Sequence, residues 1–314
     1  MDDPYRYPPI EPFNSGYLPV GGEHEIWFEE SGAKDGVPVL SLHGGPGAGS
    51  DPADRRLFDP KRYRLIQFDQ RGCGRSKPLC NLRDNTTQAL TADIEILRKH
   101  LGIARWLVTG HSWGVCLSLC YALANRDSVT ALVLRGVYTA ATDERTWIET
   151  GWRMFQPEGW ARISSLIAPG HRHSYYSGID ALLSNADAAR AKAVAVEVAR
   201  YELTCCYVEP DATVIESYLD PDLCLATAQI QCHYERNNYF LPGKDYLRSR
   251  AGELRGIPAF AINGRYDVNT PIGNAWALKQ AWPELEVIDS GVSGHMSSEP
   301  GNVRAMTALM DRLP

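Results

Sequence analysis

The fold of this chain is decided by the stretch Trp106-Leu107-Val108-Thr109-Gly110-His111-Ser112-Trp113-Gly114. It begins with an apolar run and leads into a continuous apolar segment over residues 115–124. That order predicts a strand, a sharp turn and a buried helix, with one serine hydroxyl raised at the top of a sheet. The glycines on either side of the serine suit such a turn, because a side chain at either place would clash with the turn or with the adjacent helix. The motif Gly-x-Ser-x-Gly is weak evidence by itself, but between a strand and a helix it indicates a nucleophilic serine.

Composition narrows the class of protein. The chain has 314 residues, of which 44% are hydrophobic, and this suits one large domain that carries an insertion. Its net charge is −6 without any basic block, which argues against nucleic acid or an anionic membrane as a partner. No apolar run could span a bilayer, and the acidic N-terminus with its early proline is unlike a signal peptide.

The cysteines point to a reducing compartment. There are eight, scattered along the chain and often within apolar segments, and no two are spaced as Cys-x-x-Cys. The pattern predicts reduced thiols in a cytoplasmic protein and argues against a structural zinc site. We expect neither a metal nor a cofactor.

Short apolar runs alternate with helical patterns along the chain. Besides the run at 106–108, they cover residues 24–29, 37–42, 63–68, 131–134, 259–262 and 285–288. Nearly continuous apolar runs suit strands that are buried on both faces. In the clearest helix, Leu90, Ile94, Leu97 and Leu101 follow helical spacing and Gly102 ends the pattern. The alternation predicts an α/β fold with a mostly parallel sheet.

This alternation stops near residue 140 and resumes near residue 255. The interval reads as helices alone and is rich in Trp, Tyr, Arg and Ala. We expect it to form a helical cap over the C-terminal edge of the sheet, where open α/β sheets bind ligands. The predicted organisation is a core of residues 1–140 and 249–314, with an irregular, proline-rich arm over about residues 1–20, and a cap of residues 141–248.

A serine nucleophile needs a base and a group that orients the base. In this architecture the acid and then the histidine should follow the serine along the chain. Asp267 follows the apolar run 259–262, and His295 follows the run 285–288. Taken singly, Asp267 could be a turn residue and His295 a loop histidine, but with the serine turn their order predicts a catalytic triad of Ser112, Asp267 and His295.

An oxyanion hole should combine the backbone N–H of Trp113, directly after the nucleophile, with one from an earlier loop. The segment His43-Gly44-Gly45-Pro46-Gly47 follows the run 37–42 and supplies such a loop. We expect Gly45 to be the second donor, with Gly44 as the alternative. A plain turn or a phosphate-binding loop is the competing interpretation, although no lysine has P-loop spacing. His43 and His111 flank the site and are expected to give supporting hydrogen bonds.

Four motifs carry a family resemblance: residues 43–47 (HGGPG), 69–76 (DQRGCGRS), 110–114 (GHSWG) and 294–300 (GHMSSEP). In this combination the chain resembles the prolyl aminopeptidases, or proline iminopeptidases, of the α/β-hydrolase superfamily, over nearly its whole length. The resemblance implies an α/β-hydrolase fold and a cofactor-free serine mechanism that releases an N-terminal residue, typically proline, through an acyl-enzyme.

The resemblance also implies carboxylates in the cap that hold the charged amine of the substrate. Glu202 matches one of them, and it lies on an apolar helical stripe where a lone carboxylate needs a partner; a solvated helix glutamate is the alternative. At the second family position the chain has Gln231, while Glu235 stands four residues later. The loss of one acid should weaken affinity for a protonated N-terminus. Tyr138 is the fourth candidate substrate-binding residue.

The sequence is compatible with two functions, which differ in the class of substrate. One is a prolyl-type serine aminopeptidase acting on short peptides. The other is an amidase or esterase of the same fold that acts on a non-peptide acyl substrate, such as a specialised metabolite, and Gln231 motivates it. A non-catalytic binding protein is disfavoured because such proteins usually lose a triad residue. Serine at position 112 argues against dehalogenases and epoxide hydrolases, and a nicotinamide dehydrogenase would need Gly-x-Gly-x-x-Gly after the first strand.

Overall fold

A computed structural model describes residues 4–172, 174–184 and 186–313 of the chain. Its strands are β1 (Asn14–Gly21), β2 (His24–Gly32), β3 (Val37–Leu42), β4 (Tyr63–Phe68), β5 (Trp106–Ser112), β6 (Val129–Val137), β7 (Ala259–Asn263) and β8 (Glu286–Asp289). They form one sheet in the order β1-β2-β4-β3-β5-β6-β7-β8. The pairs from β4 to β8 are parallel, while β2 is antiparallel to both of its neighbours. The predicted α/β class with a mostly parallel sheet is confirmed.

Helices cover both faces of this sheet. Within the described ranges they are α1 (Thr87–His100), α2 (Trp113–Ala124), α3 (Thr142–Thr150), α4 (Trp152–Phe155), α5 (Pro157–Leu166), α6 (Tyr175–Ser184), α7 (Ala188–Cys205), α8 (Ala212–Ser217), α9 (Pro221–Arg236), α10 (Tyr246–Arg250), α11 (Gly273–Ala281) and α12 (Pro300–Arg312). Neighbouring residues on one strand face different cores: Val108 packs in one cluster and Leu107 in the other. Burial on both faces explains the continuous apolar runs of the sequence.

Helix α1 follows its sequence pattern closely. Thr86 caps its first turn by accepting a hydrogen bond from the Ala89 N–H, and the stripe that includes Ile94 is buried. Just past the C-cap, Gly102 has a φ of 65°, a value that glycine adopts without steric cost. Both ends of the helix are therefore specified by local sequence.

The N-terminal arm is the part of the sequence interpretation that needs correction. The arm was expected to be irregular over about residues 1–20, but its residues from 14 onward belong to β1, which pairs with β2. Leu18 and Val20 point into the core from this strand. Pro19 obscured the alternation in the sequence, yet it is tolerated here because β1 lies at the edge of the sheet and has one neighbouring strand.

Between β6 and β7 the described residues contain helices and no strand, from α3 to α10. Helix α9 lies against both α6 and α7. The division into a core and a cap of residues 141–248 remains our interpretation of this arrangement. No helix within the described ranges has the length and apolar character that crossing a membrane requires.

Candidate active site

Ser112 lies at the point where β5 ends and α2 begins. Its backbone has φ 55° and ψ −124°, a conformation that residues with a side chain rarely adopt. Ser112 occupies the N-cap position of α2, but its hydroxyl does not cap any amide of that described helix. The hydroxyl is therefore free to react at the carboxyl edge of the sheet, as a nucleophile on such a turn must be.

The two glycines of the motif allow the turn to be this tight. A Cβ on Gly110 would lie 2.2 Å from the carbonyl oxygen of Gly114, and a Cβ on Gly114 would lie 2.2 Å from the carbonyl oxygen of Leu42. Any side chain at either position would push α2 away from β3 and β5. The packing of this helix thus fixes where Ser112 stands.

Asp267 and His295 form a buried pair in the loops after β7 and β8. Their Oδ2 and Nδ1 atoms are 2.8 Å apart. Thr270 donates to the same carboxylate twice, from its N–H at 2.8 Å and from its hydroxyl at 2.9 Å. Because a carboxylate only accepts hydrogen bonds, the neutral imidazole carries its proton on Nδ1. Nε2 is then left as the atom able to take a proton from a nucleophile.

The histidine ring lies over β6, beside the strand that ends at Ser112. A Cβ on Gly136 would lie 2.8 Å from Cε1 of His295, and the next residue, Val137, is the register partner of Ser112. The His295 N–H donates to the carbonyl of Cys206 at 2.7 Å, at the end of α7. The structure therefore brings the three sequence-predicted residues to one edge of the sheet, with the helical segment holding the histidine backbone.

The loop of residues 43–47 lies directly against the serine turn. A Cβ on Gly44 would be 3.1 Å from Cβ of Ser112. The Gly44 N–H already donates to Nε2 of His111 at 3.2 Å. Gly45 has a φ of 110°, and a Cβ there would be 2.5 Å from the N of Gly47, so only glycine fits. Since the Gly44 amide is engaged, Gly45 is the better of the two candidate donors.

Gln70 ties this loop to the nucleophile turn. Its amide nitrogen donates to the carbonyl of His43 at 3.0 Å, and its amide oxygen accepts from the indole N–H of Trp113 at 2.9 Å. Its backbone N–H donates to Nε2 of His43 at 3.0 Å. The N–H of Trp113, the first residue of α2, lacks an intrahelical partner and is the other candidate oxyanion donor.

The two flanking histidines, His43 and His111, are neutral and support the site through hydrogen bonds. Burial lowers the pKa of His43, and burial together with the nearby charge of Arg135 holds the pKa of His111 well below its ordinary value. As neutral rings, both can accept the backbone hydrogen bonds that they receive from Gln70 and Gly44. Their geometry agrees with a supporting role.

Glu202 projects from α7 into an enclosure of neutral polar groups. Its carboxylate accepts from the hydroxyl of Tyr175 at 3.0 Å and from the side-chain amide of Gln231 at 2.9 Å. Burial raises the pKa of Glu202 to about 7, against the opposing effect of these two hydrogen bonds. Among the described residues no lysine, arginine or histidine forms an ion pair with it. Gln231 thus joins α9 to α7 at the carboxylate.

Aromatic rings enclose this region. Tyr175 lies within 6.1 Å of four other cap rings, centroid to centroid, including those of Trp152 and Tyr201. Closer to the serine turn, the ring of Trp113 stacks on Tyr239, and the Tyr138 hydroxyl donates to that of Tyr239 at 2.8 Å. Tyr138 is buried in this wall, and its predicted role in substrate binding stays a prediction.

Glu235 lies in a different setting from Glu202. It forms an ion pair with Arg145 of α3, whose Nε is 2.8 Å from Glu235 Oε1. Because this carboxylate already has a cation, it is a poor anchor for an ammonium group. Of the candidate residues for binding the substrate amine, Glu202 and Gln231 are therefore better placed than Glu235.

Several residues that shape the candidate active site were not among those predicted from the sequence. Gln70 stands within the motif of residues 69–76, so its position was signalled although its two-sided hydrogen bonding was not. The carbonyl of Cys206 had no signal, because it acts through a contact with His295, which is distant in sequence. Thr270 lies three residues after Asp267, but no motif marked it. Within the described ranges, no cluster of three or more His, Cys, Asp or Glu side chains could hold a metal ion.

A parallel sheet, a serine on a strained strand-to-helix turn and a buried Asp–His pair define an α/β hydrolase. The family model described as alpha/beta hydrolase fold matches residues 37–156. Solved structures at low identity agree on the fold. A proline iminopeptidase-related protein from Thermus thermophilus has a TM-score of 0.60 at 19% identity, covering 95% of this chain and 96% of that one. A probable hydrolytic enzyme from Pseudomonas aeruginosa has a TM-score of 0.68 at 17% identity, covering 96% and 95%.

Curated relatives are more similar in sequence. The chain is 41% identical to a proline iminopeptidase of Arabidopsis thaliana over 94% of its own length and 78% of that relative. It is 40% identical to the proline iminopeptidase of Xylella fastidiosa (strain Temecula1) over 97% and 98%, and 40% identical to that of Neisseria meningitidis serogroup B over 97% of each chain. The chain belongs to the proline iminopeptidase family of α/β hydrolases. It is accordingly a serine hydrolase of the aminopeptidase type.

Proposed function

We propose that this enzyme releases the N-terminal residue, with proline preferred, from short peptides through an acyl-enzyme on Ser112. The hydroxyl of Ser112 attacks the scissile carbonyl while Nε2 of His295 takes its proton and passes it to the leaving amine. Asp267 holds the imidazole tautomer and stabilises the imidazolium. A water molecule, deprotonated by the same histidine, then releases the acyl group and restores the serine.

The oxyanion that forms at the attacked carbonyl needs two preorganised donors. We assign them to the N–H groups of Trp113 and Gly45. The proximity of the 43–47 loop to Ser112 supports this assignment, and Gln70 holds that loop and the Trp113 ring together. Donors fixed in this way cost no reorganisation when the charge develops.

The observation that carries the aminopeptidase proposal is the enclosed carboxylate of Glu202. It has neutral hydrogen-bond partners and, among the described residues, no ion-pair partner. A substrate ammonium would supply the missing cation. In this proposal the ammonium donates to Glu202 and to the amide oxygen of Gln231, whose nitrogen is already used. Two acceptors suit the two N–H donors of a protonated N-terminal proline.

Hydrolysis of a neutral acyl substrate is the second candidate. A carboxyl whose pKa is about 7 is half protonated near neutral pH, so the enclosure can also receive a neutral polar group. Gln231 favours this alternative, because it contributes no charge.

A cytoplasmic location stays a prediction. The eight cysteines, all within the described residues, are free thiols, and this supports it.

The deciding experiment compares chromogenic anilides of proline, alanine and N-blocked proline with a simple ester, using Ser112→Ala as the control. We expect cleavage of free proline anilide, a much slower reaction of the N-blocked analogue, and loss of turnover by several orders of magnitude in Ser112→Ala. Ester turnover without cleavage of any anilide would favour the second candidate. Near-normal turnover by Ser112→Ala would contradict the serine mechanism.

A further inference from the structure

Two buried charges of opposite sign lie behind the active site and take no part in the mechanism above. Arg135 is on β6, and Asp54 is in a short 3-10 helix over Pro52–Leu57. Each is only about 6% exposed. Burying a guanidinium or a carboxylate costs free energy unless another group compensates its charge. The burial of Arg135 and Asp54 therefore needs an explanation.

Both charges reach the same short segment, the one that carries the catalytic histidine. The Arg135 Nη1 donates to the backbone carbonyl of His295. The Asp54 carboxyl has a hydrogen bond with the side chain of Ser297, two residues further on. On its other side, the His295 N–H is held by the carbonyl of Cys206. The backbone at His295 is thus fixed from the cap on one side and from these two charges on the other.

The two charges face each other across a small cavity. Its volume is about 20 Å³, and its polar lining is Ser41, Asp54, Thr109, His111 and Arg135. Asp54 Oδ1 is buried and has no hydrogen-bond partner among the residues that the structure describes. No carboxylate of the described residues forms a direct ion pair with Arg135. Burial lowers the pKa of this guanidinium, and the charge of Asp54 is the largest effect that opposes the lowering.

The cavity has the size and chemistry of a site for one water molecule. A buried water needs roughly 10–15 Å³ and two to four polar partners. Asp54 Oδ1 offers an acceptor and Arg135 offers several donors. Because Nε2 of His111 accepts from Gly44, the proton of that neutral ring is on Nδ1, which adds another donor to the lining.

We infer that Asp54 and Arg135 form a water-bridged ion pair that positions His295 for catalysis. Asp54 compensates the guanidinium through the water, and the guanidinium holds the His295 carbonyl. Both are positioning residues, since neither contacts the reacting atoms. The inference rests on the proposed role of His295 as the general base.

The test separates positioning from folding. The variants are Asp54→Asn, Arg135→Met, their combination, and Arg135→Lys, which keeps a charge and a donor. Glu30→Gln is the matched control: Glu30 is a buried carboxylate paired with Arg64, on β2 and β4 and away from the site. The readouts are kcat and KM with a 4-nitrophenyl ester and with proline anilide, and the urea midpoint of unfolding.

We expect kcat to fall about 10-fold to 100-fold in Asp54→Asn and Arg135→Met with KM nearly unchanged, as for a misplaced catalytic group. The double variant should lose less than the product of the two single losses, because the charges act as a pair. Arg135→Lys should retain more kcat than Arg135→Met. If kcat of folded Asp54→Asn stays within threefold of that of Glu30→Gln, the inference is wrong.

A crystal structure of the unaltered enzyme gives an independent answer that holds even if the variants fail to fold. Density for a water within hydrogen-bond distance of Asp54 Oδ1 and the Arg135 guanidinium would support the bridge, and an empty cavity would refute it. Ser112→Ala separates the two proposals. Ester turnover that persists in Ser112→Ala refutes the proposed mechanism and this inference with it, whereas Ser112-dependent turnover that is indifferent to Asp54 refutes the inference alone.

Discussion

At Ser112 the backbone is held in a conformation that favours glycine. With φ at 55° and ψ at −124°, a residue with a Cβ carries a strain of the order of 1–3 kcal/mol. The close approach of Gly114 to Leu42 shows why the turn does not relax, since α2 is packed directly on the neighbouring strand. Stability is thus given up at the residue where the proposed chemistry needs an exposed hydroxyl.

This strain leads to a prediction about two inactive variants. Ser112→Gly should be more stable than Ser112→Ala by about 1 kcal/mol, because glycine adopts positive φ without steric cost. Glycine also gains entropy in the unfolded chain, and that effect opposes the gain and keeps it small. Urea unfolding of the two proteins measures the difference. A more stable alanine variant would mean that the turn is not strained.

The carboxyl of Glu202 predicts a pH dependence that is specific to amine substrates. Its pKa of about 7 arises from burial, so below that pH the carboxyl becomes neutral and loses its attraction for an ammonium. The ratio of kcat/KM for proline anilide to that for a neutral ester should therefore rise between pH 5 and 7, by up to about tenfold per unit, and then level off. Effects of pH on the chemical step that both substrates share cancel in the ratio.

The matched variant for this experiment is Glu202→Gln. It keeps the shape of the side chain and one of its two acceptor oxygens. Because it removes the charge and the titration of the carboxyl, the ratio should become flat across the same pH range. It should also weaken turnover of proline anilide far more than that of the ester. A flat ratio in the unaltered enzyme, or equal losses on both substrates, would remove Glu202 from amine recognition.

At the scale of elements, α7 and α9 each contact one loop of the candidate active site. The end of α7 binds the backbone of His295 through Cys206. Helix α9 contacts the loop of residues 43–47, which carries the proposed donor Gly45 and is called the oxyanion loop below; the Thr227 hydroxyl donates to the carbonyl of Gly47 at 2.9 Å. The hydrogen bond between Glu202 and Gln231 joins the two helices between these contacts. The segment that would bind the substrate amine is therefore also the segment that supports the reacting groups.

Thr227→Val tests the contact between α9 and the oxyanion loop. Loss of the hydroxyl should loosen the loop and lower kcat about tenfold, less than the 10²–10³-fold loss of an oxyanion donor itself, with little change in KM. The free energy of unfolding should fall by about 1 kcal/mol. Thr146→Val is the control, since Thr146 makes a similar bond at an exposed position within α3. Equal kinetics in both variants would show that the loop does not depend on α9.

The elements differ in how far local sequence could specify them. Helix α1 was predictable because Leu90, Ile94 and Leu97 are spaced on one face and Gly102 ends the pattern. Strand β1 was not, because Pro19 interrupts the alternation and the strand is stabilised by pairing with β2, which local sequence does not encode. In the candidate site, chain order predicted the Asp267–His295 pair, whereas the Arg145 partner of Glu235 comes from another helix and left no local signal.

At the scale of the whole molecule, buried ion pairs connect segments that are far apart in sequence. Arg71 makes a two-point contact with Asp93 of α1, with distances of 2.6 and 2.7 Å. The same guanidinium donates to the carbonyl of Val20 on β1 and to that of Asp84. One side chain thus joins the edge hairpin, the loop before α1 and α1 itself to the sheet.

Removing one partner of this contact should weaken the entire fold. Asp93 is fully buried, and Asp93→Asn would leave the Arg71 guanidinium without its compensating charge. The expected loss is about 3–5 kcal/mol in the free energy of unfolding. The exposed pair of Asp180 and Arg236 provides the control, and Asp180→Asn should cost less than about 1 kcal/mol because solvent screens that pair. Urea unfolding of both variants measures the contrast, and similar losses would mean that burial of the Arg71 pair contributes nothing beyond an ordinary surface contact.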